Sequence, residues 1–338
     1  MRTAMSVSEL FKEENAPADA DIQVDGSGKL RHLLTLQGLT RAQISALLDH
    51  AELFLSPMGS DVVRSDTLRG KTIANLFFEP STRTRASFDL AAKRMGADVL
   101  NLDVNTSSRK KGESILDTLY TLQAMQVDVF VVRDASAGVP AYIARHVDPH
   151  VSILNAGESD VSHPTQGLLD LLTIRQRKGA FENLIVAIVG DIAHSRVARS
   201  AAEGLTTMGV GELRLVSPKA LAPDPASMPP CKLMHKLEDG VRNADVVMAL
   251  RIQRERIGSL DGIPSIDEYY ASYGISQERM KFAAPEAIVM HPGPMNRGIE
   301  IESSLADSRQ SAITQQVTNG VAVRMAVLDT VIRAADVR

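Results

Sequence analysis

The stretch EPSTRTR, residues 79–85, joins a run typical of a buried strand, 71–78, to a run typical of a helix, 86–95. A chain that turns directly from a strand into a helix leaves the first backbone N–H groups of the helix without partners inside it. Those groups and the helix dipole attract an anion. The stretch adds three hydroxyl and two guanidinium groups, and these donors suit a phosphate or a carboxylate. It therefore predicts an anion site at a helix start.

A second interpretation of this stretch needs no ligand. Ser81 or Thr82 could cap the helix with its hydroxyl oxygen while the arginines lie in solvent. The concentration of donors favours the anion site over the cap. The pattern GxxxxGK[ST] of nucleotide-binding loops is absent, so the stretch is not a loop of that kind.

The composition is that of an ordinary globular protein and gives no reason to expect a nucleic-acid or membrane partner. Of the 338 residues, 44% are hydrophobic and 23% are charged, with a net charge of -4. So mild a charge predicts no nucleic-acid binding, and apolar runs such as 184–189 are too short to span a bilayer. The single cysteine, Cys231, excludes disulfides within the chain and argues against a Cys-based metal site. Such cysteine usage predicts that the protein lies in the reducing cytoplasm.

Strand-like and helix-like runs alternate along most of the chain. The alternation predicts an α/β fold of two domains, each a mostly parallel sheet flanked by helices. We expect an N-terminal extension at 1–30, a first domain at 31–164 and a second at 165–311. Thr40 is a candidate cap for an early helix. Residues 312–338 predict a long amphipathic helix, whose apolar face would consist of Val317, Val321, Met325, Leu328 and Ile332.

Polar side chains follow the predicted strands at their carboxyl ends, where open α/β sheets bind ligands. These residues are Ser81, Arg133, His163, Arg251 and His291. A single arginine in such a place is usually a surface residue. Five polar residues placed by one topological rule indicate a ligand site.

Three motifs, in this order, resemble the aspartate and ornithine carbamoyltransferase family. They are Ser81-Thr82-Arg83-Thr84-Arg85, His163-Pro164-Thr165-Gln166 and His291-Pro292-Gly293-Pro294. The resemblance runs from about residue 33 to the end. Residues 106–113 are similar to the mobile substrate loop of the aspartate-specific members, and 251–256 to their aspartate-side loop. Ornithine-specific members have a cysteine where this chain has Pro292. This chain differs from the family pattern in two places. Gly293 stands where some members have a bulky residue between the prolines, and the extension 1–30 is absent from the minimal family pattern.

The resemblance implies an activity and a set of partners. We expect the carbamoyl group of carbamoyl phosphate, bound by the first domain, to pass to the amine of L-aspartate, bound by the second. The products would be N-carbamoyl-L-aspartate and phosphate, in the second step of pyrimidine biosynthesis, with no metal or organic cofactor. We also expect a homotrimer, with the C-terminal helix packing back on the first domain. A dihydroorotase-like or regulatory partner chain is an open alternative.

The same resemblance assigns roles to individual residues. Phosphate would be held by Ser81, Thr82, Arg83 and Thr84. Arg133 would bridge the phosphate and the carbonyl oxygen, and the carbamoyl end would meet His163, Gln166 and the backbone of Pro292, Gly293 and Pro294. Ser107 and Lys111 would enter from a neighbouring subunit. Aspartate would be held by Lys111, Arg196, Arg251 and Gln253. Arg85 would support the loop structurally.

The chemistry accounts for these residue types. Both substrates are anions, so the site must supply cations to bring them within reacting distance. Attack of the amine on the carbonyl carbon puts negative charge on the carbonyl oxygen, which Thr84, Arg133 and His163 would stabilise. We expect His163 to donate a hydrogen bond rather than act as the general base, since the leaving phosphate can take the proton. Arg83, Thr84, Arg133 and His163 are therefore the predicted catalytic residues.

Three other functions remain as alternatives. A nicotinamide-dependent oxidoreductase is suggested by a strand followed by Gly190-Asp191, but the GxGxxG pattern is missing. Ornithine carbamoyltransferase is the nearer alternative, and an assay with both amino acids separates it from the aspartate enzyme. A catalytically inactive assembly scaffold is the third, and a measurable rate would exclude it.

Overall fold

A computed structural model describes residues 22–57, 59–102, 114–253 and 262–336. The chain forms two compact units. The first contains Met1–Thr165 and Gly320–Arg338, and the second contains Gln166–Asn319. Each helix in the described ranges is too short or too polar to cross a membrane.

The first unit is built on a four-stranded parallel sheet. Its elements in chain order are α1 (Arg41–Glu52), β1 (Thr72–Phe77), α2 (Thr82–Arg94), β2 (Asp98–Leu102), α3 (Ile115–Ala124), β3 (Val129–Asp134), α4 (Val139–His146) and β4 (Ser152–Glu158). The strand order is β2-β1-β3-β4. β3 and the edge strand β4 are buried along their whole length, as expected of strands covered on both faces.

The second unit repeats this architecture with five parallel strands in the order β7-β6-β5-β8-β9. Its elements are α5 (Pro164–Lys178), β5 (Ile185–Val189), α6 (Arg196–Thr207), β6 (Glu212–Val216), β7 (Lys232–Met234), α7 (Leu237–Val241), β8 (Val246–Ala249), α8 (Ile266–Tyr273), α9 (Gln277–Met280), β9 (Ile288–Met290), α10 (Ser303–Ala306) and α11 (Ile313–Ala335). α11 ends in the first unit, because its residues from Gly320 onward belong there. The predicted fold class, with a C-terminal helix returning to the first domain, is confirmed.

The apolar stripe predicted for α11 is wrong at its start. Val317 is 65% exposed, whereas Gln316 and Asn319 are buried. Their amide groups donate to the side chains of Asp170 and Thr173 on α5, at 2.8 and 2.9 Å. Hydrogen bonds between α11 and α5 therefore determine which face of α11 is buried at its start. The helical periodicity of apolar residues did not predict this.

Gly190 follows β5 and lets the chain after β8 approach closely. Its φ is +140°, and a Cβ added there would lie 2.6 Å from the carbonyl oxygen of Leu250. Leu250 immediately precedes Arg251, one of the predicted site residues. Close packing thus explains why a glycine follows β5 at this position, where it resembles a dinucleotide-binding glycine.

We expect Gly190→Ala to lower the free energy of unfolding by about 3 kcal/mol, since overpacking adds to an unfavourable φ. Gly179→Ala is the matched control, because Gly179 also has a positive φ, +80°, but no atom within 4 Å of the added Cβ. It should cost about 1 kcal/mol. Urea unfolding of both variants measures the difference, and equal losses would contradict the close approach as the cause.

Candidate active site

The first group of predicted site residues lies where β1, β3 and β4 end side by side. Ser81 follows β1, Arg133 is the penultimate residue of β3, and His163 follows β4 just before α5 begins. Parallel pairing aligns Phe77 with Arg133 and Asp134 with Glu158, so these strand ends share one edge of the sheet. Arg133 and His163 are both buried.

The turn into α2 has a helix start without a side-chain cap. Ser81 is the N-cap residue, in an extended conformation with φ -158° and ψ 94°, and its hydroxyl makes no capping hydrogen bond. Thr84 is buried, while Thr82 and Arg83 are exposed. The capping interpretation of Ser81 is therefore wrong. The first N–H groups of α2 are therefore not capped by this side chain.

Arg133 is held between the ends of its two neighbouring strands. Its Nη1 donates to the carbonyl oxygen of Ala156 in β4 at 3.1 Å. Its Nη2 donates to Oε1 of Glu79, just after β1, at 3.0 Å. A buried guanidinium needs such partners, because an unpaired buried charge is very costly. Glu79 is a residue to which the sequence assigned no role, although it opens the EPSTRTR stretch.

The second group lies at the neighbouring ends of β5 and β8 in the other sheet. Asp191, after β5, is completely buried. It accepts hydrogen bonds from the backbone N–H of Gln253 at 3.0 Å and from Nδ1 of His194 at 2.8 Å. Arg251 donates to Oε1 of Gln253 at 3.3 Å. Asp191 thus fixes the segment that carries two predicted aspartate-binding residues, and sequence reasoning missed this role.

Two further residues shape this second group. Arg196 is the first residue of α6 and is buried. Tyr269 of α8 is fully buried and packs with Leu221 and Ile252, beneath the segment between Arg251 and Gln253. Burial, together with the nearby charges of Glu300 and Asp191, raises the pKa of the Tyr269 phenol far above its ordinary value. The phenol is therefore a neutral support for this loop.

The motif after β9 forms a tight loop that is closed by its own histidine. The backbone N–H of Gly293 donates to Nδ1 of His291 at 2.8 Å, and Nε2 of His291 faces Oε1 of Glu300 at 3.0 Å. Gly293 has a φ of +66°, and the Gly293–Pro294 peptide is cis. The sequence counted His291 among the polar residues at strand ends, and its buried side chain holds this loop.

Several predicted residues lie outside the described part of the chain. They are Ser107 and Lys111, most of the 1–30 extension, and residues 254–256 of the aspartate-side loop. Within the described part, no group of three His, Cys, Asp or Glu residues could hold a metal ion.

The chain matches two family models over most of its length. Residues 31–176 match the aspartate/ornithine carbamoyltransferase carbamoyl-P binding domain. Residues 182–331 match the Asp/Orn binding domain of the same family.

Solved structures of both enzyme types resemble the chain. Aspartate transcarbamoylase from Trypanosoma cruzi, in complex with carbamoyl aspartate and phosphate, is 30% identical to it. The match covers 93% of this chain and 100% of that one, with a TM-score of 0.81. Ornithine carbamoyltransferase from Thermus thermophilus is 26% identical, over 89% of this chain and 99% of its own, with a TM-score of 0.79. The Pyrococcus furiosus ornithine carbamoyltransferase is 28% identical. The match covers 90% of this chain and 97% of that one, with a TM-score of 0.79.

The uncapped start of α2 predicts that Ser81 contributes to anion binding and not to helix stability. Ser81→Ala should change the free energy of unfolding by less than about 0.5 kcal/mol and weaken binding of inorganic phosphate about fivefold. Thr40→Ala is the matched control, since Thr40 caps α1 in a complete capping box with Gln43. It should lower stability by about 1 kcal/mol and leave phosphate binding unchanged. Thermal unfolding and calorimetric titration measure both quantities, and the reverse pattern would contradict this assignment.

Proposed function

This chain belongs to the aspartate/ornithine carbamoyltransferase family, and we propose that it transfers the carbamoyl group of carbamoyl phosphate to the amine of L-aspartate. The observation that carries the choice of aspartate is the cationic character of the second group. Arg196 and Arg251 both follow strands of that sheet, and Arg251 is bonded to Gln253. Guanidinium groups bind carboxylates well, whereas they would repel the side-chain ammonium group of ornithine.

The first group is suited to carbamoyl phosphate. We assign the phosphate to the uncapped start of α2, with contacts from Ser81, Thr82, Arg83 and Thr84. Arg133 bridges the phosphate and the carbonyl oxygen. His163, Gln166 and the backbone of 292–294 meet the carbamoyl end. The burial of these residues supports the assignment. The turn has a solvent-exposed side, with Thr82 and Arg83, and a buried side, with Thr84.

The reaction follows from the residue chemistry. The unprotonated amine of aspartate attacks the carbonyl carbon, a C–N bond forms, and the C–O bond to phosphate breaks. The departing phosphate takes the proton that the amine loses. Negative charge on the carbonyl oxygen is stabilised by Thr84, Arg133 and His163, of which Arg133 is already fixed by Glu79 and Ala156. A donor held in place before the reaction loses little energy to reorganisation, which is why such preorganisation accelerates acyl transfer.

The wider setting is part of the same proposal. Forming N-carbamoyl-L-aspartate, the enzyme would act in pyrimidine biosynthesis, and we propose that it does so in the cytoplasm. We propose a homotrimer in which Ser107 and Lys111 act in the site of a neighbouring subunit, with Lys111 also binding aspartate. A larger assembly with a dihydroorotase-like or regulatory chain is the alternative to a free trimer. Measuring the size of the complex in cell extract distinguishes the two.

Ornithine is the second candidate acceptor. It is favoured by the structural similarity to ornithine carbamoyltransferases, whose TM-scores of 0.79 are close to the 0.81 of an aspartate transcarbamoylase. Pro292 stands where ornithine-specific members have cysteine, and this supports aspartate.

We expect the protein to form carbamoyl-aspartate from carbamoyl phosphate and L-aspartate, and to form no carbamoyl-ornithine with L-ornithine. Arg83→Ala should lower kcat/KM by about 10²–10³, the usual effect of losing a donor to developing charge. The control is Arg69→Ala, because the Arg69 side chain is 77% exposed and, within the described residues, pairs only with the exposed Asp66. It should stay within about twofold of the wild type. Product analysis of both reactions tests this, and carbamoyl-ornithine as the sole product would refute the choice of aspartate.

A further inference from the structure

A buried series of hydrogen bonds in the second unit joins Gln166 to the loop that follows β9. Nε2 of Gln166 donates to Oδ1 of Asp170 at 3.0 Å, and Nε2 of Gln316 donates to the same oxygen at 2.8 Å. Oε1 of Gln316 accepts from the backbone N–H of His291 at 2.9 Å. Nδ1 of His291 accepts from the N–H of Gly293 at 2.8 Å. Asp170 is 1% exposed and both Gln316 and His291 are 2% exposed.

The orientation of every amide in this series follows from one backbone group. The N–H of His291 can only donate, so the group facing it must be the oxygen of Gln316. The NH₂ of Gln316 then faces Asp170, which makes Oδ1 an acceptor. Gln166 meets that same acceptor and must also present its NH₂.

Gln166 is left with its amide oxygen pointing away from Asp170. Gln166 is 8% exposed, and among the described residues no donor bonds to this oxygen. It is therefore an acceptor available to a ligand. The amide cannot rotate to offer NH₂ instead without placing its oxygen against Oδ1 of Asp170, and two acceptors cannot form a hydrogen bond.

The loop at 292–294 has the same acceptor-only character. Pro292 and Pro294 have no N–H, and the N–H of Gly293 is used by His291. The loop can therefore offer only carbonyl oxygens to a ligand. The Gly293 bond also makes Nδ1 of His291 the acceptor, so Nε2 carries the proton that is donated to Glu300.

We propose that Asp170 is a positioning residue that makes this part of the site specific for an NH₂ group. It fixes the oxygen of Gln166 toward the ligand and, through Gln316 and His291, holds the acceptor-only backbone of 292–294. The inference rests on the proposed function, in which these residues meet the carbamoyl end. A carbamoyl NH₂ satisfies such acceptors. An acetyl CH₃ of similar size leaves them buried and unpaired, and sites of this kind discriminate strongly.

The test compares the binding of carbamoyl phosphate, acetyl phosphate and inorganic phosphate, measured by calorimetric titration without an amino acid. The wild type should bind carbamoyl phosphate more tightly than acetyl phosphate. Asp170→Ala should lower that preference about tenfold, the equivalent of one hydrogen bond, with little change for inorganic phosphate. Asp170→Asn keeps an acceptor oxygen of the same reach and should retain most of the preference. A purely structural role for Asp170 would instead weaken all three ligands alike, and this result would overturn the proposal.

A second pair of variants keeps the test decisive if Asp170→Ala does not fold. Gln316→Leu breaks the link to His291 and should lower the preference in the same direction. Asn319→Leu is its control, because Asn319 is equally buried on α11 and also donates to α5, at Thr173 and Gln176, outside the series. It should keep the wild-type preference. An unchanged preference in Gln316→Leu, or an equal loss in Asn319→Leu, would overturn the inference alone. A wild type that does not bind carbamoyl phosphate would overturn the proposed function as well.

Discussion

Parallel pairing of the strands is the constraint on which the candidate site depends. Because all strands of a parallel sheet end at the same edge, a residue just past one strand lies near residues past its neighbours. In the first sheet this brings Glu79 to Arg133, and in the second it brings Asp191 to Gln253. Gly190 shows how tight the second edge is, since even a methyl group there would meet Leu250. The chemistry of the site is thus assembled by topology before any ligand binds.

Three carboxylates, two of them buried, position the polar groups of the candidate site. Glu79 holds the guanidinium of Arg133, Asp191 holds the 251–253 segment, and Asp170 gathers two amides. An acidic group opposes the attraction of an anionic ligand. Each of these carboxylates is instead bonded to donors of the protein, and the result is donors and acceptors of fixed direction. Preorganised groups of this kind stabilise developing charge with little rearrangement.

The sequence was sufficient for the groups that follow strands and insufficient for those that support them. Ser81, Arg133 and Arg251 could be placed at strand ends because the strand–helix alternation is strong and their position is topological. The Gln166–Asp170 bond had a local signal, an i to i+4 spacing on one helix. Gln316 had none, since its partner is 146 residues away. Val317 was assigned to the buried face of α11 because it is apolar and lies at helical spacing. The neighbouring amides take that face instead, because they form hydrogen bonds to α5. β7 was missed because it has three residues and directly follows a proline-rich run.

In the proposed function, the residues assigned to the two ends of carbamoyl phosphate have opposite hydrogen-bonding character. The start of α2 offers donors, namely backbone N–H groups, hydroxyls and guanidinium groups, and these suit a phosphate, which only accepts. Gln166 and the 292–294 loop offer acceptors, and these suit an NH₂ group, which only donates. A ligand bound in reverse would set acceptor against acceptor at one end and donor against donor at the other. If the proposed function holds, hydrogen-bond polarity orients carbamoyl phosphate, and charge supplies the affinity.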